Sequence, residues 1–284
     1  MYHNVDTVLA GKYIIVTSGL FESENYIMYL AKAPSLGEEF ILTEFHPRDM
    51  STRDENNYLT ISAENAGMFE QKLDKFTNDC RRLTHITANR FFGVREVLTE
   101  MGTAFAVSKM PQGMTLSQYI ETMEDDLQFN ENIIDSVYES LCSIAAEKIP
   151  LHVSSEMTYA ENIASIMFMF DYVFDSNEQE MLASMAKILY TLITKNIYEF
   201  IFNLESVPLE NKYRELIKGV LDDEPTITTF SEAKITVDKN AMRSAKESPL
   251  REYIGGVVLL YLIIIAIITG AIYGLYQFAS IVLG

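Results

Sequence analysis

Few residues in this chain have the types and spacing that carry out chemistry. Cys80 and Cys142 are the only cysteines and lie far apart, so they form no zinc spacing and no disulfide framework; they read as buried free thiols of a reducing compartment. The segment LHVSSEM sets His152, Ser154 and Glu156 at alternate positions. Histidine is the usual proton carrier near neutral pH, but taken alone His152 reads as a core or loop residue. Arg81 and Arg82 read as a solvated helix face, and Met167, Phe168, Met169 and Phe170 as packed core. Thr43 is the most telling position. It stands in FILTEF among Phe40, Ile41, Leu42 and Phe45, in a strand-like run that turns abruptly polar at HPRDMSTRDENNY.

Charge and length restrict the function classes. The chain has 284 residues, 48% hydrophobic, enough for a folded core. Lysine and arginine number 22 against 40 acidic residues, a formal net charge of -18. So acidic a surface repels phosphate backbones and excludes nucleic acid as a partner.

The N-terminal MYHNVDTVLAGKY lacks the basic segment and long apolar run of a signal peptide. Residues 253–284, by contrast, hold no charged side chain, and a membrane span needs about 20 apolar residues. This stretch is expected to be a single transmembrane helix. Lys239, Arg243, Lys246 and Arg251 precede it, so the positive-inside rule places the N-terminal domain in the cytoplasm. Residues 237–252 read as a polar linker broken by Pro249. Within the span, Ala266, Gly270 and Gly274 recur every fourth residue. That spacing allows close helix pairing and a homodimer, or merely reduces bulk.

The elements that position the candidate residues follow from periodicity. KYIIVTS, YIMYLAKA and EEFILTEF are short β-branched and aromatic runs separated by turns. Over 66–86, a helix places Met68, Phe69, Leu73, Phe76, Cys80 and Leu83 on one face. Two strands, FFGVREVLTE and TAFAVSKM, follow, joined at Met101-Gly102, and TLSQYIE starts a helix capped by Thr115. From residue 130 the pattern is helical almost throughout, with a last helical piece over LENKYRELIKGVLDD that stops before Pro225.

YLAKA, FILTEFHPRDMSTRDE, FEQKLDKFTNDCRRLTHI and RFFGVREVLTEMGTAFAVSKMPQGMTLSQYI, in this order, resemble the strand-helix-strand core of a bacterial serine/threonine protein kinase. The likeness covers residues 12 to about 122 well and 208–236 moderately. It implies an α+β, two-lobe kinase-like fold: a five-stranded antiparallel N-lobe with one helix over 1–114, and a shortened helical C-lobe over 115–236.

The resemblance also implies what is missing. Thr43 stands where the family has its ATP-anchoring lysine, and Asp79 where that lysine's glutamate partner stands. SGLFESENY keeps only Gly19 of a phosphate-covering loop and adds Glu22 and Glu24. At the catalytic loop His152 remains, Val153 replaces arginine, Ser154 replaces the base and Glu156 the lysine; Asn162 is off-register for the metal-ligand position. No Asp-Phe-Gly occurs, and the stretch between His152 and the closing helices is too short for a full activation loop. The expectation is a catalytically inactive, membrane-anchored pseudokinase without a cofactor, serving as a protein-binding scaffold or regulator. Alternatives are a divergent active kinase or nucleotide sensor, and a structural subunit of a membrane secretion machine.

Overall fold

Short alternating strands in the first 110 residues build a curled antiparallel sheet. The computed structural model describes residues 2–17, 19–124, 128–169, 171–174, 176–198 and 203–242; the expected span 253–284, with Ala266, Gly270 and Gly274, lies outside them. The strands are β1 (Val8–Leu9), β2 (Tyr13–Ile15), β3 (Phe21–Glu22), β4 (Tyr26–Ala33) and β5 (Glu38–Phe45). A small hairpin follows, β6 (Ser51–Arg53) with β7 (Leu59–Ile61), then helix α1 (Ala66–Leu83), β8 (Val94–Glu100) and β9 (Thr103–Lys109).

The large sheet runs β1-β2-β4-β5-β9-β8, with β3 on β4. Its two edges meet. Lys12 and Tyr13 both reach the Glu96 carboxylate on β8, and the Ala10 N–H donates to Glu100 at 2.7 Å. Seven strands replace the expected five, because β1 and β3 are two residues each and leave no periodic pattern. The β8–β9 turn is the expected one: Met101 and Gly102 take φ of 53° and 77°, the positive pair that a two-residue hairpin needs.

Alternation along β5 separates two cores. Phe40 and Leu42 point inside the curled sheet with Tyr13, Tyr29, Phe105 and Val107. Phe45, on the other face, meets α1 and the second lobe. The helix buries Phe69, Phe76, Cys80 and Leu83, at spacings of seven, four and three residues. Met68 does not share that face; it is one residue out of phase and 54% exposed. Arg81 and Arg82 are exposed in the last turn, as expected, where they complement the helix dipole.

The second lobe opens with β10 (Met114–Thr115) and α2 (Leu116–Thr122), whose Thr115 cap closes a capping box with Gln118. Helix α3 (Glu131–Ala146) follows. The nearly all-helical expectation fails next. Residues 151–172 form β11 (Leu151–His152), β12 (Thr158–Asn162), β13 (Ser165–Phe168) and β14 (Asp171–Tyr172), paired β12–β13 and β11–β14. These strands are only two to five residues long, and although buried and half-exposed positions alternate along Ser165–Phe168, so few residues leave no readable period. Asn162 turns the hairpin by accepting the Ala164 N–H at 2.9 Å.

Helix α4 (Glu178–Thr194) is capped by Asn177 and Glu180 and ends on Lys195 in left-handed conformation. Helix α5 (Arg214–Leu221) and a last helix, α6 (residues 230–242), complete the described fold. α6 crosses the expected linker start at 237, and Ala233 and Val237 bury it against the lobe.

Candidate functional site

Thr43 occupies the middle of β5, paired with Met28 on β4 and Ala106 on β9. It lies between Ile41 and Phe45 on the face turned toward the second lobe. The side chain is 1% exposed and its hydroxyl has no hydrogen-bond partner among the described residues. Such a hydroxyl can anchor no phosphate by charge.

Beneath it the two lobes touch directly. Tyr26 and Met28 from β4 and Ile41 from β5 form one buried cluster with Met157 and Met169 of the second lobe. Met110 and Tyr159 pack against its sides. The chain before β12 is held tightly there. Met157 N–H donates to the Ser154 carbonyl at 3.1 Å, Thr158 donates its hydroxyl to the same carbonyl at 2.8 Å, and Met169 N–H donates to the Met157 carbonyl at 2.8 Å.

Asp79 is buried on α1, and Thr43 is not among its hydrogen-bond partners. Tyr172 donates to one carboxylate oxygen at 2.7 Å, Lys75 reaches the same oxygen at 2.9 Å, and Arg82 reaches the other at 3.4 Å. Lys75 also donates to the Tyr172 hydroxyl at 3.1 Å. α1 thus supplies Asp79 with two cations of its own, one turn away on either side. A second tie crosses the lobes where Tyr26 donates to Asp171. Burial and the Asp171 charge push the Tyr26 phenol far above its ordinary value, so it stays a donor.

Among the described residues, His152, Ser154 and Glu156 hydrogen-bond with neither Thr43 nor Asp79. His152 pairs in register with Asp171, and its Nε2 lies 2.6 Å from the Ser176 hydroxyl. Burial lowers the His152 pKa against the pull of Asp171 and Glu180. Ser154 uses its hydroxyl to accept the Met157 N–H at 3.2 Å, and Glu156 is exposed. Gly19 has φ of +83°, and a Cβ there would meet the Tyr2 ring at 2.9 Å. Glu22 is paired with Arg48 and takes the Tyr2 hydroxyl. Among the described residues no three His, Cys, Asp or Glu side chains converge as a metal site.

On the far face of β5, next to Thr43, Glu44 is fully buried. Arg53 binds both its oxygens at 2.8 and 2.7 Å, Tyr29 donates at 2.9 Å and His3 lies at 3.3 Å. Burial would raise this carboxyl, but His3 and Arg53 hold it below its ordinary value. Neither this cluster nor Tyr172 was legible in advance. The partners are 41 and 93 residues apart, with no periodic signal between them.

Solved structures share this fold. PpkA-294 in its apo form matches with a TM-score of 0.60 and 13% identity over 83% of this chain and 99% of that one. The PknI kinase domain of Mycobacterium tuberculosis matches at 0.55 and 13%, over 85% of this chain and 99% of that one. The fold is that of a protein kinase. Rad53 1–466, solved with AMP-PNP, matches at 0.54 and 11% over 78% of this chain and 64% of that one. No protein-family model and no curated sequence matches the chain. The kinase-like chain thus shares the fold of these proteins with little of their sequence.

Proposed function

We propose that the protein is a pseudokinase, anchored by residues 253–284 to a membrane, that acts as a protein-binding scaffold or regulator on the cytoplasmic face. The observation that carries this reading is the cluster of Tyr26, Met28, Ile41, Met157 and Met169 between the lobes. These apolar side chains pack together on the face of β5 that carries Thr43, the side where the resemblance implies a nucleotide. Phosphoryl transfer needs cations and a positioned base around the phosphates. Thr43 and Ser154 are neutral, and Asp79 is committed to Lys75, Arg82 and Tyr172. The anchor rests on the charge-free stretch and the basic residues ahead of it. What remains for such a domain is surface: a folded acidic body held near a membrane.

The test is a thermal-shift series on the full chain with and without Mg-ATP. A transition unchanged up to millimolar nucleotide is expected, because only a ligand that binds the native state raises its stability. Saturable stabilisation would move the reading to a divergent kinase or nucleotide sensor.

A further inference from the structure

The outer side of α6 carries apolar residues that the lobe leaves uncovered. Ala233, Val237 and the half-buried Asn240 face the protein at spacings of four and three residues. Opposite them Ile235 is 51% and Met242 66% exposed, with Lys239 on the same stripe. Asn240 donates to the Lys212 carbonyl at 3.1 Å, which brings the turn closed by Pro208 and Asn211 alongside the helix end. That turn presents Leu209, 84% exposed. Glu232 lies in the first turn of the helix, Lys234 follows it, and Asp238 precedes Lys239 near the end. In sequence, Arg243, Lys246 and Arg251 then come against Glu247 and Glu252, so the balance turns basic toward the charge-free stretch.

We infer that this side of α6 is a membrane-contact face that rests on anionic lipid headgroups. The inference builds on the anchor reading above and adds an orientation to it. Residues 243–252 alone separate the helix from the charge-free stretch, and ten residues reach at most about 35 Å even fully extended. The end of α6 is therefore held within a short distance of the bilayer. A domain of net charge -18 is repelled by an anionic surface. On this side Ile235 and Met242 lie with Lys239, which offsets the neighbouring Glu232 and Asp238, and a lysine beside exposed apolar side chains favours the headgroup boundary.

The chain has no tryptophan, so Met242→Trp, Ile235→Trp and, as comparator on α1, Met68→Trp each introduce a single fluorophore. Each full-length variant is reconstituted in nanodiscs of phosphatidylcholine, with or without phosphatidylglycerol, and with plain or brominated acyl chains. The expected result is blue-shifted, bromine-quenched emission at 242 and 235, stronger with the anionic lipid and reduced by Lys239→Glu, and unquenched emission at 68. Equal emission at all three positions, quenched or not, overturns the inference, as does a blue shift at 242 or 235 without bromine quenching, which would indicate a protein contact. A chain that alkaline carbonate strips from the bilayer overturns the anchor reading itself, and this face with it. A chain that stays embedded but shows no quenching at 242 leaves the anchor standing and removes only the face.

Discussion

The phenolic oxygen of Tyr172 lies 2.7 Å from a carboxylate oxygen of Asp79, 93 residues earlier in the chain. Asp79 is on the helix of the first lobe and Tyr172 on a strand of the second, so one hydrogen bond ties the two. Lys75 closes a triangle with both. Hydrogen bonds to a charged group contribute about 1.5–3 kcal/mol. Tyr172→Phe is expected to lose stability in that range in urea unfolding, and Asp79→Asn to lose a similar amount. Because the two act on one interaction, the double variant should cost clearly less than the sum; additive losses would show that the two side chains are not coupled.

Thr43 and Phe76 should respond in opposite directions. The Phe76 ring is fully buried and packs 5.7 Å from Phe45 and 5.3 Å from Tyr172, centre to centre. Phe76→Ala should cost about 3–5 kcal/mol. Thr43→Val replaces a buried, unpartnered hydroxyl with a methyl group of the same shape and should stabilise the fold by about 1 kcal/mol. Equal and mild effects in chemical denaturation would contradict both placements.

Gly113 joins the lobes at a point of close approach. Its φ is +90°, and a Cβ there would lie 2.2 Å from the Ala160 carbonyl oxygen. Gly113→Ala therefore combines backbone strain of about 1–3 kcal/mol with a clash against backbone. The β10–β12 pairing, Met114 with Ala160, should open first; amide exchange at 114–115 and 159–160 is the measurement, and unchanged protection there would refute it.

Acid should weaken the fold before its carboxylates protonate. His46 is 4% exposed, neither ring nitrogen has a hydrogen-bond partner among the described residues, and burial pushes its pKa below the ordinary imidazole value. Its neutral form is favoured in the folded state, so its contribution is full above about pH 6.5 and falls as the unfolded chain takes up protons below that. His152 is shifted the same way and adds to the slope. Melting temperature should decline from pH 7 to about 5.5, and His46→Leu should flatten part of that decline. A profile level across this range would count against a neutral buried His46.

Residues read in their local setting were placed well; those whose setting is distant were not. Thr43 in a buried strand, Asp79 on the helix, the Thr115 cap and the Met101-Gly102 turn all rest on neighbours within a few positions. Phe168 and Met169 are core, as expected, but on and beside a strand rather than in a helical run. The Asp79–Tyr172 tie, the Glu44–Arg53–His3 cluster and the closure of β2 on β8 depend on partners that only the folded topology brings together. Short strands such as β11 and β14, two residues each, carry no pattern from which to infer them.

The two cores differ in when the ribosome can complete them. The one inside the curled sheet uses residues from Leu9 to Val107 and nothing later. The one that covers α1 extends to Val237 and includes Tyr172, a partner of Phe76. During synthesis the sheet can therefore close, and Phe45 can meet Phe69 and Phe76 of α1, while the part of α1 that packs on Tyr172 still waits for more than half a lobe to emerge. Contacts separated this widely in sequence form late, and the wait is a window in which α1 offers a sticky face to other chains or to a chaperone.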